Sequence, residues 1–373
     1  MPPTEPPTPT RLAGGPRSWV LHVDLDQFIA AVEILRHPEL EGLPVVVGGR
    51  GDPTERGVVS TASYAAREFG VGSGMPLRLA RRKIPDAVFL PVDGPAYDAA
   101  SAAVMAALRS LEWGGVPVLL EVLGWDEAFL GPGAGHGELG DPVDFAAVIR
   151  AEVLAATRLH CSVGIGDNKL QAKIATDFGK PRGAYRIGDD TWLAEMGERP
   201  TDALWGIGRK TAKKLAALGI ETVSQLGAAD PARLAAELGP TMGPWYRRIG
   251  RGVDSSPVDP TPYVPRAHGR ETTFQTDLED WEQVVAEVRA LTVRVLADID
   301  AEGRPAERVG IKVRFKPFIT VSRSLTLPAP SNDPETLADA AVSLLDRLDE
   351  RDRDRPVRLL GVRLEMVSKS LGT

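Results

Sequence analysis

Cysteine is almost missing. Cys161 stands alone among 373 residues, which excludes a disulfide framework and any cysteine-built zinc site. A single thiol also fits a reducing compartment, so the expected location is cytoplasmic. Histidine is scarce: His22, His37, His136, His160 and His268 form no paired metal-ligand spacing. Any metal would therefore be held by carboxylates, which points to Mg²⁺ or Mn²⁺. Long apolar runs are absent, and no stretch approaches the length of a transmembrane helix. Residues 1–18 are rich in Pro and Thr and have no apolar centre. They read as a disordered leader, not a signal peptide. A positive excess is missing as well, since the net charge is −7. Taken globally this argues against a nucleic-acid partner. Taken locally it does not, because screening cuts off charges beyond about 10 Å and the basic residues are clustered. Arg209, Lys210, Lys213 and Lys214 form one group; Arg304, Arg308, Lys312, Arg314, Lys316 and Arg323 form another.

What is present suffices for packed cores: 43% of residues are apolar, and the length predicts two or three domains. A short apolar run at 19–24 (WVLHVD) predicts a buried strand ending on a carboxylate. Helices are expected at 28–36, 64–69, 76–82, 95–111, 143–157 and 168–178, the last capped by Asp167 or Asn168. Strands are expected at 43–47, 58–61 and 161–165, and a β-hairpin at 119–130 around Gly124-Trp125. These combine into a βαββαβ layer with an insertion. From residue 202 the texture changes to short helices with Gly turns. A Pro-rich linker at 252–265 precedes a second βαββαβ pattern. Within it Val309, Ile311, Val313 and Phe315 alternate with Gly310, Lys312, Arg314 and Lys316, giving a strand with an apolar and a basic face.

Asp24, Asp126 and Glu127 are the main chemical signal. Strand ends carrying free carboxylates are costly to desolvate. Three of them converging with no Lys or Arg among them would repel, and divalent cations would resolve the repulsion. Two such ions are the apparatus of phosphoryl transfer.

HVDLDQFIAAVE, SYAAREFGVGSGMPL, GWDEAFL and CSVGIGDNKLQAKIATDFGKPRG occur in this order. Together they resemble the motifs of Y-family translesion DNA polymerases of the DNA polymerase IV (DinB) class, of actinobacterial type, over residues 19–367. The resemblance implies an α+β right-hand polymerase: a ferredoxin-like βαββαβ palm (19–30 and 92–185), small fingers (31–91) and a helical thumb with a helix-hairpin-helix (186–254). A linker (255–265), a βαββαβ little finger (266–368) and a tail (369–373) follow. It implies template-directed addition of nucleotides to a primer 3′ end with two Mg²⁺ ions, Mn²⁺ being a possible substitute. Asp24 and Asp126 would bridge the metals, Glu127 would hold the catalytic one, and the Leu25 carbonyl would face a metal. Thr61, Tyr64, Arg67 and Lys173 would grip the triphosphate, with Phe28 and Ile29 near the sugar. Gly206, Gly208, Lys210 and Lys213 of the hairpin, and Lys312, Arg314 and Lys316 of the last domain, would track the DNA backbone. The implied partners are primer-template DNA and a dNTP. The enzyme is expected to be a monomer with no membrane association.

Three positions depart from the family pattern. Gly124-Trp125 stands where a Ser-hydrophobic pair is usual. Ile29 stands where an aromatic ring usually collides with a ribose 2′ hydroxyl, so rNTPs become expected substrates, unless Phe28 or Tyr64 closes the gate instead. The terminal residues 365–373 carry no Gln-led clamp peptide, so weak sliding-clamp binding is expected. Two other readings of the motifs are a nucleotidyl cyclase-like palm enzyme, because GWDEAF resembles GGDEF, and a non-catalytic DNA-binding relative. The basic clusters oppose the first and the intact carboxylates the second.

Overall fold

The computed structural model describes residues 19–368; the leader and the tail lie outside them. No helix among the described residues is long and apolar enough to cross a membrane. The chain forms two compact units, one from residues 19–42 and 93–262, the other from 43–92 and 263–368.

The first unit is built on a five-stranded sheet, in the order Ala184–Ile187, Cys161–Gly166, Val20–Leu25, Glu127–Gly131, Leu119–Val122. The last four of these are the expected palm strands, with Val20–Leu25 antiparallel to both neighbours. Ala184–Ile187 is an addition that the motif reading did not include, a parallel edge strand beside Cys161–Gly166. Strand alternation puts Leu21, Val23 and Leu25 on one face of the sheet, all but inaccessible. His22 and Asp24 occupy the other face, which the helix Lys169–Gly179 covers.

That helix lies unusually close to the sheet. A Cβ on Gly164 would stand 1.9 Å from the Ala172 carbonyl oxygen, and one on Gly166 would stand 2.4 Å from the Ala172 nitrogen. The helix starts at Asn168, whose side chain accepts the Gln171 N–H, so the second of the two expected caps is the one used. Its outer residues Leu170, Ile174 and Ala175 continue into a core with Trp192, Leu204, Ile207 and Leu215. Four short helices, Arg209–Ala217, Val223–Ala228, Pro231–Leu238 and Met242–Gly250, enclose that core.

In the second unit, residues 43–92 form a three-stranded sheet in the order Thr61–Ala62, Val45–Val47, Val88–Leu90. The strand expected at 58–61 is only Thr61–Ala62; Val58 makes an isolated bridge to Pro76 and is 53% exposed. Residues 263–368 form a four-stranded antiparallel sheet, in the order Ala267–Leu278, Val357–Met366, Ala306–Phe315, Ile319–Ser331. Helices Trp281–Glu302 and Pro334–Ser343 pack on one face through Val284, Val288, Leu291 and Leu337. The expected alternation holds, with Val309, Ile311, Val313 and Phe315 all buried. The two parts of this unit are tied by Arg56. Its N–H donates to Gln275 Oε1 (2.6 Å), its guanidinium donates to the Phe274 carbonyl (3.0 Å) and pairs with Asp277, and Gln275 Nε2 donates back to the Arg56 carbonyl (3.1 Å). The tie falls where Ala267–Leu278 slips register, between Thr273 and Leu278.

The close seating of Lys169–Gly179 sets an expectation. Gly164→Ala forces that helix off the sheet and costs several kcal/mol, on the order of 4 or more, as for other backbone collisions in a core. Loss of soluble protein, or a collapse of the thermal midpoint, checks this; a near-normal midpoint contradicts the packing.

Candidate active site

The first unit gathers the three expected carboxylates at one end of its sheet. Asp24 lies directly opposite Glu127 in the ladder, and the Leu25 N–H donates to the Asp126 carbonyl at 2.9 Å. The hairpin that carries Asp126 and Glu127 is closed by the Leu123 N–H on the Glu127 carbonyl, 3.0 Å. Gly124 and Trp125 form its exposed tip, and the Trp125 ring stands edge-on to Tyr97, centroids 6.1 Å apart. Tyr97 is buried and donates to Glu33 (2.6 Å); desolvation and that bond push its phenol up to about 12.

The carboxylates are not alone, which corrects the expectation of a cation-free cluster. Lys180 Nζ is 3.0 Å from Asp24 Oδ1, and Lys173 pairs with Glu127. Lys173 ends Glu127-bound and one-fifth exposed, not free in solvent. Both lysines come from the one tightly seated helix, Lys173 from its middle and Lys180 from its C-cap. His22, 1% exposed, lies below: Nδ1 is 2.8 Å from Thr176 Oγ1, and Nε2 is 3.2 Å from Glu127 Oε2 and 3.3 Å from Lys173 Nζ. Asp26, also buried, accepts from Ser162 Oγ and the Arg182 N–H, 2.9 Å each, and so braces the strand end.

The electrostatics divide the three acids. Burial raises Asp24 above the usual carboxylate range despite Lys180, with Asp126 adding to the rise. Burial and then Glu127 raise Asp126. Glu127 is held down to about 2 by its contact with His22 and then by Lys173, against burial. Lys180 is raised: burial opposes, but Asp24 and Asp177 outweigh it. His22 is lowered, chiefly by burial. Among the described residues no group of three His, Cys, Asp or Glu side chains stands in metal-ligating geometry.

The other expected residues are distributed over both units. Phe28 is 3% exposed and Ile29 half-buried in the first turn of Phe28–Arg36. In the second unit, Thr61 closes a strand pair, and Tyr64 and Arg67 share the turn Tyr64–Arg67, N-capped by Ser63. The Arg67 guanidinium lies 5.0 Å from the Tyr64 ring centre and donates to the Ala62 carbonyl. Gly206 has φ +96, and a Cβ there would strike the Trp245 ring at 2.5 Å. Gly208 opens the helix Arg209–Ala217 without a side-chain cap, and Lys210 and Lys213 are exposed. Lys312 and Arg314 share a strand face as expected, bonded to Glu271 (2.8 Å) and Thr320 (2.9 Å). Lys316 follows directly after the strand's last residue, Phe315. Beside Lys312 that face is a groove lined by Gly269, Gly310, Gly361, Ser322 and Ser324, of which Gly269 and Gly361 were not expected from the sequence. Lys180 and His22 were passed over too. The signal for Lys180 lay in its spacing, seven residues or two helical turns after Lys173.

A model of the impB/mucB/samB family matches residues 23–177, and a model of that family's C-terminal domain matches residues 265–370. The chain is 48% identical over 349 residues to DNA polymerase IV 2 of Mycobacterium tuberculosis, covering 93% of this chain and 98% of that protein. It is 39% identical over 351 residues to DNA polymerase IV of Methanoculleus marisnigri, covering 93% and 94%. Among solved structures it is similar to a Y-family DNA polymerase chimera, Dbh-Dpo4(243-245)-Dbh. The TM-score is 0.82 at 26% identity, covering 94% of this chain and 99% of that one. It is also similar to the insertion ternary complex of Dbh DNA polymerase, at TM-score 0.61 and 26% identity, covering 93% and 98%.

The raised Asp126 carries a consequence for stability. A carboxylate whose folded pKa is raised opposes folding at pH values above it, and that opposition fades as pH falls through it toward the unfolded value. Asp126→Asn is therefore expected to raise the thermal midpoint at pH 7 by about 1–3 °C. Calorimetry of both proteins tests this, and a lowered midpoint contradicts it.

Proposed function

The chain belongs to the Y-family DNA polymerases of the DNA polymerase IV class, template-directed enzymes of the translesion type, and we propose that Asp24, Asp126 and Glu127 are its catalytic residues. The observation that carries this reading is their convergence at one sheet end, where lysines pair with Asp24 and Glu127. In this reading residues 19–30 and 92–185 are the palm, 31–91 the fingers, 186–254 the thumb and 266–368 the little finger.

The donors are hard carboxylate and carbonyl oxygens, so the set suits Mg²⁺, with Mn²⁺ as substitute. Asp24, Asp126, Glu127 and the Leu25 carbonyl would hold the ions, which when bound favour the ionised primer 3′ hydroxyl and shield the developing phosphoryl charge. The chain's own part is positioning. Glu127, drawn down to about 2, stays ionised at any working pH. Lys173 would exchange Glu127 for the β/γ-phosphates, and Lys180 is a second cation poised on Asp24. Tyr64 and Arg67 share one helical turn, a spacing that lets two donors meet one polyanion. The uncapped N–H groups after Gly208, with Lys210 and Lys213, suit a DNA phosphate. The glycine-floored face with Lys312 and Arg314 suits a second stretch of backbone, and neither surface offers base-reading chemistry.

Asp126→Ala and Glu127→Ala are expected to abolish primer extension while leaving duplex affinity almost unchanged, because the phosphate contacts lie elsewhere. Extension and binding assays on the same preparations test this; near-normal extension by either variant overturns the assignment.

Sugar choice follows from the start of the helix Phe28–Arg36. Phe28 packs in the core, and half-buried Ile29 keeps its bulk near the backbone. Ribonucleotides are therefore expected to be incorporated efficiently, with Ile29→Tyr restoring deoxyribonucleotide preference by about tenfold or more, the effect of one 1.4 kcal/mol steric penalty. Competing rNTP and dNTP kinetics decide it; strong rejection of rNTPs by the unaltered enzyme shows that another residue closes the gate.

A further inference from the structure

A lysine is a flexible chain with a strongly hydrated end, so a lysine that must act at one point needs something to hold it there. Glu127 holds Lys173 from one side. On the other side stands Trp205, with its ring centre 5.5 Å from Nζ. Trp205 belongs to the loop Leu204-Trp205-Gly206 that leads into the hairpin helix Arg209–Ala217. It is 42% exposed, so core packing does not account for a tryptophan there. Its indole leans on Phe129, with ring centres 6.0 Å apart, and Phe129 is fully buried two residues along the strand from Glu127. Phe129 is itself fixed by the His22 ring at 4.8 Å. The indole thus rests on a rigid aromatic floor and turns a face rich in π-electron density toward the ammonium.

We propose that Trp205 is a positioning residue of the nucleotide site: its ring holds the Lys173 ammonium at the edge of the carboxylates. There Lys173 pairs with Glu127 before a nucleotide arrives and with the triphosphate afterwards. The proposal rests on Lys173 as a triphosphate contact. It also joins two tasks, because one side chain of the DNA-gripping hairpin sets the aim of a nucleotide-gripping lysine.

Steady-state extension by the full chain on a fixed primer-template tests it with variants of Trp205 and Lys173. Trp205→Leu keeps apolar bulk but has no π face, and is expected to raise the KM for dNTP about fivefold, the size of a partly exposed cation–π contact. Trp205→Phe keeps a π face and is expected to stay within about twofold of the parent, with kcat and primer-template Kd little changed in both. If leucine lowers DNA affinity or the thermal midpoint, Trp205→Met against Trp205→Tyr repeats the contrast. Leu and Phe variants with the same KM, whether normal or raised, overturn the positioning role. Lys173→Ala separates the two layers. A raised KM there with no Leu/Phe difference sinks the Trp205 proposal alone, whereas an unchanged KM removes Lys173 from the triphosphate and the proposal with it.

Discussion

Three acidic groups forced together at the end of a sheet are the constraint around which the first unit is arranged. Coulomb repulsion between partly desolvated carboxylates is a matter of several kcal/mol at close range. The fold answers with a helix laid so close to the strand Cys161–Gly166 that only glycine fits beneath it at 164 and 166. That helix brings Lys173 and Lys180 to the acids two turns apart. Even so, two of the three acids remain above their ordinary range, raised chiefly by burial.

The architecture was legible in the sequence where periodicity and burial agree. The strand at Val20–Leu25, the helix Phe28–Arg36 and the alternating strand ending at Phe315 fall where the patterns put them, because each element buries one whole side. The failures have local causes. Val58 is β-branched, but its surroundings offer it a single bridge and not a ladder. Ala184–Ile187 is only four residues long and sits at an edge, where the apolar signal is weak.

The candidate site's acids stood out in the sequence pattern itself, whereas of its two lysines Lys173 entered only through the family resemblance and Lys180 not at all. A carboxylate at a strand end announces itself because such positions are rarely charged. Lysines on a helix announce nothing, since solvent-facing lysines are the rule. Only the backbone path shows that Lys173 and Lys180 lie on the sheet side. Likewise Gly269, Gly310 and Gly361 lie far apart in the chain, and their convergence into one floor follows from strand order alone.

The second unit is discontinuous in the chain, and the Arg56 tie marks the point where its two parts meet. On a ribosome, Arg56 emerges long before Gln275 and Asp277. At about 5–20 residues per second, roughly ten seconds or more separate them. Residues 43–92 have a small core of their own around Val46, Val59 and Leu77. The Arg56 guanidinium waits in water for its partners. Completion of the unit is therefore a late event in biosynthesis, timed by translation and not by local folding speed.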